Sequence, residues 1–93
     1  MAQERWRIRC FGRVQQVGFR YTAMYLAKDL YLTGWVENLH DGSVLMEAQG
    51  GKTQLRKFLI RLKSQQHIHI EKTTIEILPV QPYERAFSVR NVF

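Results

Sequence analysis

From Arg5 the chain reads Arg-Trp-Arg-Ile-Arg-Cys, a strict alternation of charged and apolar side chains. A period of two suits a strand with one covered face and one wet face, so Trp6, Ile8 and Cys10 are expected to look into a core. This stretch requires a sheet covered on one side. The run ends at Gly12, and residues 13–19, which include Gly18, show no period and predict a loop. Beyond it Ala23, Leu26, Ala27 and Leu30 recur at helical spacing. That spacing predicts a helix that begins near Arg20 or Tyr21 and ends before Thr33-Gly34.

The segments Gly34–Leu39 and Ser43–Ala48 flank His40-Asp41-Gly42, and Asp-Gly between two apolar runs predicts a hairpin. After Gly50-Gly51 the stripe Leu55, Phe58, Leu59 and Leu62 predicts a second helix, whose Lys52, Arg56, Lys57, Arg61 and Lys63 mostly face elsewhere. Ile70, Ile75 and Ile77 mark a fourth strand ending at Pro79, and Phe87 and Val89, with Val92, a short terminal one. The order is βαββαβ plus a small C-terminal strand. The expected fold is α+β: a ferredoxin-like sandwich, with an antiparallel sheet carrying two helices on one face. Such a frame serves many functions, so chemistry must be read from a site.

Residues 1–93 are the length of one domain, and 45% apolar content is enough for a core. No linker or repeat divides them. A net charge of +6 favours anionic partners without distinguishing nucleic acid, lipid or a small phosphorylated molecule. Cys10 is the only cysteine, so no internal disulfide ties the fold to an oxidising compartment, and a cytoplasmic setting is expected. No apolar run approaches a membrane span, and the first residues lack the apolar core of a signal peptide.

Arg20 stands where the loop meets the helix, and a cation there opposes the positive end of the helix dipole. A bound anion offsets that conflict, because loop N–H groups, the helix start and a guanidinium fork all favour phosphate or carboxylate. An ordinary exposed arginine, or one paired with an acid, fits the local pattern equally well. Gly12-Arg13-Val14-Gln15-Gln16-Val17-Gly18-Phe19-Arg20 resembles the acylphosphatase signature Gly-x-Val-Gln-Gly-Val-x-Phe-Arg. Gly34-Trp35-Val36-x-Asn38-x-x-Asp41-Gly42-x-Val44 resembles that family's second signature, and Phe87-x-Val89-Arg90 its ending.

The resemblance implies a ferredoxin-like acylphosphatase that cleaves the carboxyl–phosphate bond of small acyl phosphates without metal or cofactor. It implies that Arg20 binds phosphate, that Asn38 orients the attacking water, and that the backbone of Gln15, Gln16, Val17, Gly18, Phe19 and Arg20 forms a phosphate cradle. Inorganic phosphate is the expected competing ligand, and a monomer the expected state. Gln16 departs from the signature glycine, and its side chain would cost about 1–2 kcal/mol if the backbone there is left-handed.

The competing reading is a noncatalytic module binding phosphate or RNA. It is disfavoured because residues 17–21 do not reproduce the aromatic pattern of RNA-recognition domains. His40, His67 and His69 lack a ligand spacing that would hold a metal and are expected at the surface. Cys10 reads as a small core hydrophobe, Asp41 as a turn residue and Thr22 as a helix-start hydroxyl outside the site. The basic face of the second helix reads as solvated, and Tyr21, Tyr25 and Trp35 as packing residues.

Overall fold

The alternation from Arg5 does form a strand, an interior member of a sheet whose two faces differ sharply. In the computed structural model, which describes residues 2–90, the chain runs β1 (Gln3–Arg13), α1 (Phe19–Asp29), β2 (Thr33–Asn38) and β3 (Val44–Gly51). It continues through α2 (Lys52–Lys63), β4 (His69–Leu78) and β5 (Phe87–Val89). The sheet order is β4-β1-β3-β2-β5. Val92, expected to extend the last strand, lies outside the described residues.

Trp6, Ile8 and Cys10 are buried under the helices, which contribute Phe19, Ala23 and Leu26 from α1 and Leu55, Phe58 and Leu62 from α2. Complete burial of each large apolar side chain contributes roughly 1.5–3 kcal/mol, so this layer is the main source of stability. Burial pushes the Cys10 thiol up to about 11, as expected of a core thiol rather than a nucleophile. α1 stops where the sequence indicates, by Tyr31 taking a left-handed turn while Leu32 N–H bonds back to Ala27 C=O at 2.8 Å. Ile75 and Ile77 pair with Ile8 and Trp6 across β1 but stay exposed, because β4 is the outer edge of the sheet.

The opposite face carries Arg5, Arg7 and Arg9. Arg5 is only 2% exposed, its guanidinium held by Glu47 at 2.8 Å, Gln49 at 3.1 Å and both oxygens of Glu84 at 2.8 and 3.1 Å. Glu84 belongs to the segment between β4 and β5, which crosses this face and is also fastened by reciprocal Gln49–Gln81 hydrogen bonds of 3.0 and 2.8 Å. The crossing corrects one expectation. It carries the chain from one edge of the sheet to the other, so β5 lies parallel to β2, Gly34 opposite Phe87 and Val36 opposite Val89. The sheet is therefore mixed rather than wholly antiparallel.

Two signature glycines have packing explanations. A Cβ on Gly12, at the irregularity between β1 and β4, would lie 2.4 Å from His69 C=O, and one on Gly34 would lie 1.8 Å from Glu47 C=O. Backbone occupies both places, so any side chain would force the strands apart.

Candidate active site

Strand register brings the two signature segments together. Val44, at the start of β3, is the partner of Cys10 on β1 and of Asn38 on β2. The loop leaving β1 and the end of β2 therefore sit level at one end of the sheet. Val14, fully buried, anchors the loop, and Gln15 reaches across the start of β3, donating from Nε2 to Leu39 C=O at 2.7 Å and Ser43 C=O at 2.9 Å.

Gln16 then turns left-handed with φ of 62°, and Gly18, with φ of 80°, caps α1 without a side-chain hydrogen bond. The first turn of α1 contains no acid, so its N-terminal amides and dipole remain positive toward the loop. Glycine at position 16 would relieve the left-handed strain but enlarge the freedom of the unfolded chain. Gln16→Gly is therefore expected to raise stability by about 0.5–1 kcal/mol in a denaturant titration. Turnover should change by less than about threefold, because the backbone already adopts the conformation a glycine would favour.

Gln15, Gln16, Arg20, Glu37, Asn38, Leu39 and His40 line one cleft of about 510 Å³. Arg20 and Asn38, 18 positions apart in the chain, thus face the same space. The Arg20 side chain is directed by Nη1, which donates to Arg90 C=O at 2.9 Å. Arg90 is itself fixed by its N–H to Val36 C=O at 2.8 Å, and its guanidinium lies 4.2 Å over the Trp35 ring and 3.8 Å from Glu37. The Arg90 backbone therefore helps aim Arg20, and the Arg90 guanidinium provides positive charge beside the acidic Glu37. Below Asn38 the turn is held by Asp41, whose carboxylate accepts from Ser43 N–H at 2.9 Å and Ser43 O–H at 2.6 Å and pairs with Arg9. These contacts, led by the Ser43 hydroxyl, hold the Asp41 carboxyl below the usual carboxylate range.

The other expected loop members are divided between core and surface. Phe19 begins α1 and points into the core, while Val17 packs partly against it and lines a neighbouring cleft of about 790 Å³ with Arg13, His67 and His69. That cleft is larger but contains neither Arg20 nor Asn38. Thr22 turns away from the cleft of Asn38 and meets His67 Nε2 at 3.1 Å. Among the described residues no cluster of three or more His, Cys, Asp or Glu side chains is placed to hold a metal, and no helix is long and apolar enough to cross a membrane. Sequence reasoning missed Glu37 and the Arg90 carbonyl. His40, expected only as a surface residue of the β2–β3 turn, also lines this cleft. The one available signal for Arg90 was the Phe87-x-Val89-Arg90 ending.

The acylphosphatase family model matches residues 6–89. An acylphosphatase of Clostridium acetobutylicum is 39% identical over 87 residues, covering 92% of this chain and 96% of that protein. One of Geobacillus thermodenitrificans is 40% identical over 79 residues, covering 84% of each. The crystal structure of the Bacillus subtilis acylphosphatase superposes with a TM-score of 0.88 at 30% identity, covering 95% of this chain and 99% of that one. With a matching fold, a family match over most of its length and relatives of its own size, the chain belongs to the acylphosphatase family, enzymes that hydrolyse acyl phosphates.

Proposed function

We propose that the Arg20–Asn38 cleft is where this acylphosphatase works, with Arg20 and the loop backbone binding the phosphoryl group and Asn38 placing the attacking water. The observation that carries the reading is the convergence of Arg20, Asn38, Gln15 and Gln16 on one cleft beside an uncapped helix start. Phosphoryl transfer asks little covalent chemistry of a protein and much positioning of charge and nucleophile. Loop N–H groups and the guanidinium hold the oxygens on which negative charge collects. The Asn38 carboxamide oxygen accepts a hydrogen bond from water, leaving a water lone pair directed at phosphorus, opposite the carboxylate.

As the new O–P bond forms, the old P–O bond breaks and its electron pair leaves on the carboxylate. The water proton passes to a phosphoryl oxygen, so the products are a carboxylate and inorganic phosphate. A carboxylate leaves readily without a general acid, which fits a cleft whose carboxylate, Glu37, is paired with Arg90. The reading makes inorganic phosphate a ligand of the same cleft, requires no metal, and works within one copy of the chain. The lone buried thiol makes no demand for an oxidising compartment, which supports a cytoplasmic location.

Benzoyl phosphate hydrolysis tests the proposal. Turnover is expected to be unchanged by a chelator and competitively inhibited by inorganic phosphate. Strict dependence on an added divalent ion, or inhibition that is not competitive, would overturn it.

A further inference from the structure

The Gln15 carboxamide presents two N–H protons, and both are spent on backbone, one on Leu39 C=O at 2.7 Å and one on Ser43 C=O at 2.9 Å. These carbonyls stand on either side of the β2–β3 turn. Leu39 follows Asn38 directly, and Ser43 precedes Val44, the residue paired with Asn38. Each carbonyl also accepts a bond within the turn, Leu39 C=O from Gly42 N–H at 3.2 Å and Ser43 C=O from Leu39 N–H at 2.9 Å. The amide of Gln15 is therefore a clasp across the mouth of the hairpin. It is attached at its other end to the loop that leads into Gln16 and α1.

We infer that Gln15 is a positioning residue whose side chain sets Asn38 at its working distance from the phosphate cradle. This rests on the reading of Arg20 and Asn38 given above. β3 lies between β1 and β2, so the loop and the Asn38 segment are not neighbours in the sheet ladder, and Gln15 provides a direct side-chain tie between them. A water held by Asn38 must approach phosphorus in line, and a misplacement of ~1 Å can cost ~100-fold in rate. Glutamate has nearly the same shape but would set carboxylate oxygens against two carbonyl oxygens, so it should open the clasp.

The test is steady-state hydrolysis of benzoyl phosphate, with phosphate as competitive inhibitor, by Gln15→Glu, Gln15→Ala, Asn38→Ala and the double variant Gln15→Ala/Asn38→Ala. Assays are run at a temperature where circular dichroism shows each protein folded. Gln15→Glu and Gln15→Ala are expected to lower kcat by about 10–100-fold while the phosphate inhibition constant moves by less than about threefold. In the Asn38→Ala background, Gln15→Ala should cost less than about twofold more, because the group it positions is gone. A merely structural role would give the same loss in both backgrounds and would track the thermal midpoint. Should Gln15→Glu fail to fold, Gln15→Ala and the double variant decide alone.

Wild-type kcat in Gln15→Ala, a parallel loss of phosphate affinity, or fully additive losses would each overturn the inference. Full turnover in Asn38→Ala would instead overturn the underlying site reading.

Discussion

Asn38→Ala is expected to lower kcat for acyl phosphate hydrolysis by about 100-fold or more, since an attacking water misplaced by ~1 Å costs ~100-fold in rate. On the proposed division of roles, in which Arg20 and the loop hold the phosphoryl oxygens, KM should change little. The expectation follows from the cleft, where Asn38 lies at the end of β2 with the loop on one side and the His40 turn on the other. Alanine leaves that backbone paired with Val44 and Ser43, so folding should survive while the water loses its acceptor. Steady-state kinetics on a variant with native circular dichroism checks it. Near-wild-type kcat would remove Asn38 from the mechanism.

Arg5→Ala is expected to be the most damaging change to stability. The guanidinium is buried and donates to Glu47, Gln49 and Glu84, so truncation leaves two carboxylates in a covered layer without their cation. Arg7 still reaches Glu47 at 3.0 Å, but its side chain is nearly half exposed and cannot replace the buried fork. Breaking a buried ion pair from one side costs about 3–5 kcal/mol. For a domain of this size that lowers the thermal midpoint by roughly 12–40 °C.

The same network sets the acid response. Burial acts to raise the Glu47 carboxyl, but hydrogen bonds from Arg5 and Arg7 outweigh it and hold the group below its ordinary 4.5. A depressed carboxyl contributes its full stability above the unfolded value and loses it as pH falls through the folded value, so wild-type stability should decline from about pH 5 downward. Thermal melts of wild type and Arg5→Ala at neutral and acid pH check both points. Equal midpoints at neutral pH would contradict the first, and a rise in wild-type stability on acidification the second.

The elements with a clear period are legible in the amino-acid sequence. The Arg5–Cys10 alternation, the Asp41-Gly42 turn and the two leucine stripes each follow from which side chains must leave water. The direction of β5 is not legible there. Phe87 and Val89 mark a strand but not which way it runs, and its orientation depends on a crossing segment fastened to Arg5 and Gln49 from more than 30 positions away. The same crossing buries Arg5, which alternation alone assigns to the wet face.

Within the site, Arg20 is conspicuous because a cation at a helix start conflicts with the dipole, whereas Asn38 has no physical signal and depends on the motif. Gln16 marks where the loop departs from the signature, but the sign of its φ is a property of the folded loop. Glu37 and the Arg90 carbonyl arrive through strand register and the docking of Arg90 on Val36, neither of which is local in sequence.

The central claim is a division of labour, with Arg20 binding the phosphoryl group and Asn38 directing water at it. The inhibition constant for inorganic phosphate, measured for wild type, Arg20→Ala and Asn38→Ala in one assay, tests it most directly. Loss of a charge-assisted hydrogen bond predicts that Arg20→Ala weakens phosphate by about 10–150-fold, while Asn38→Ala binds it as wild type does. Wild-type phosphate inhibition in Arg20→Ala would contradict the account.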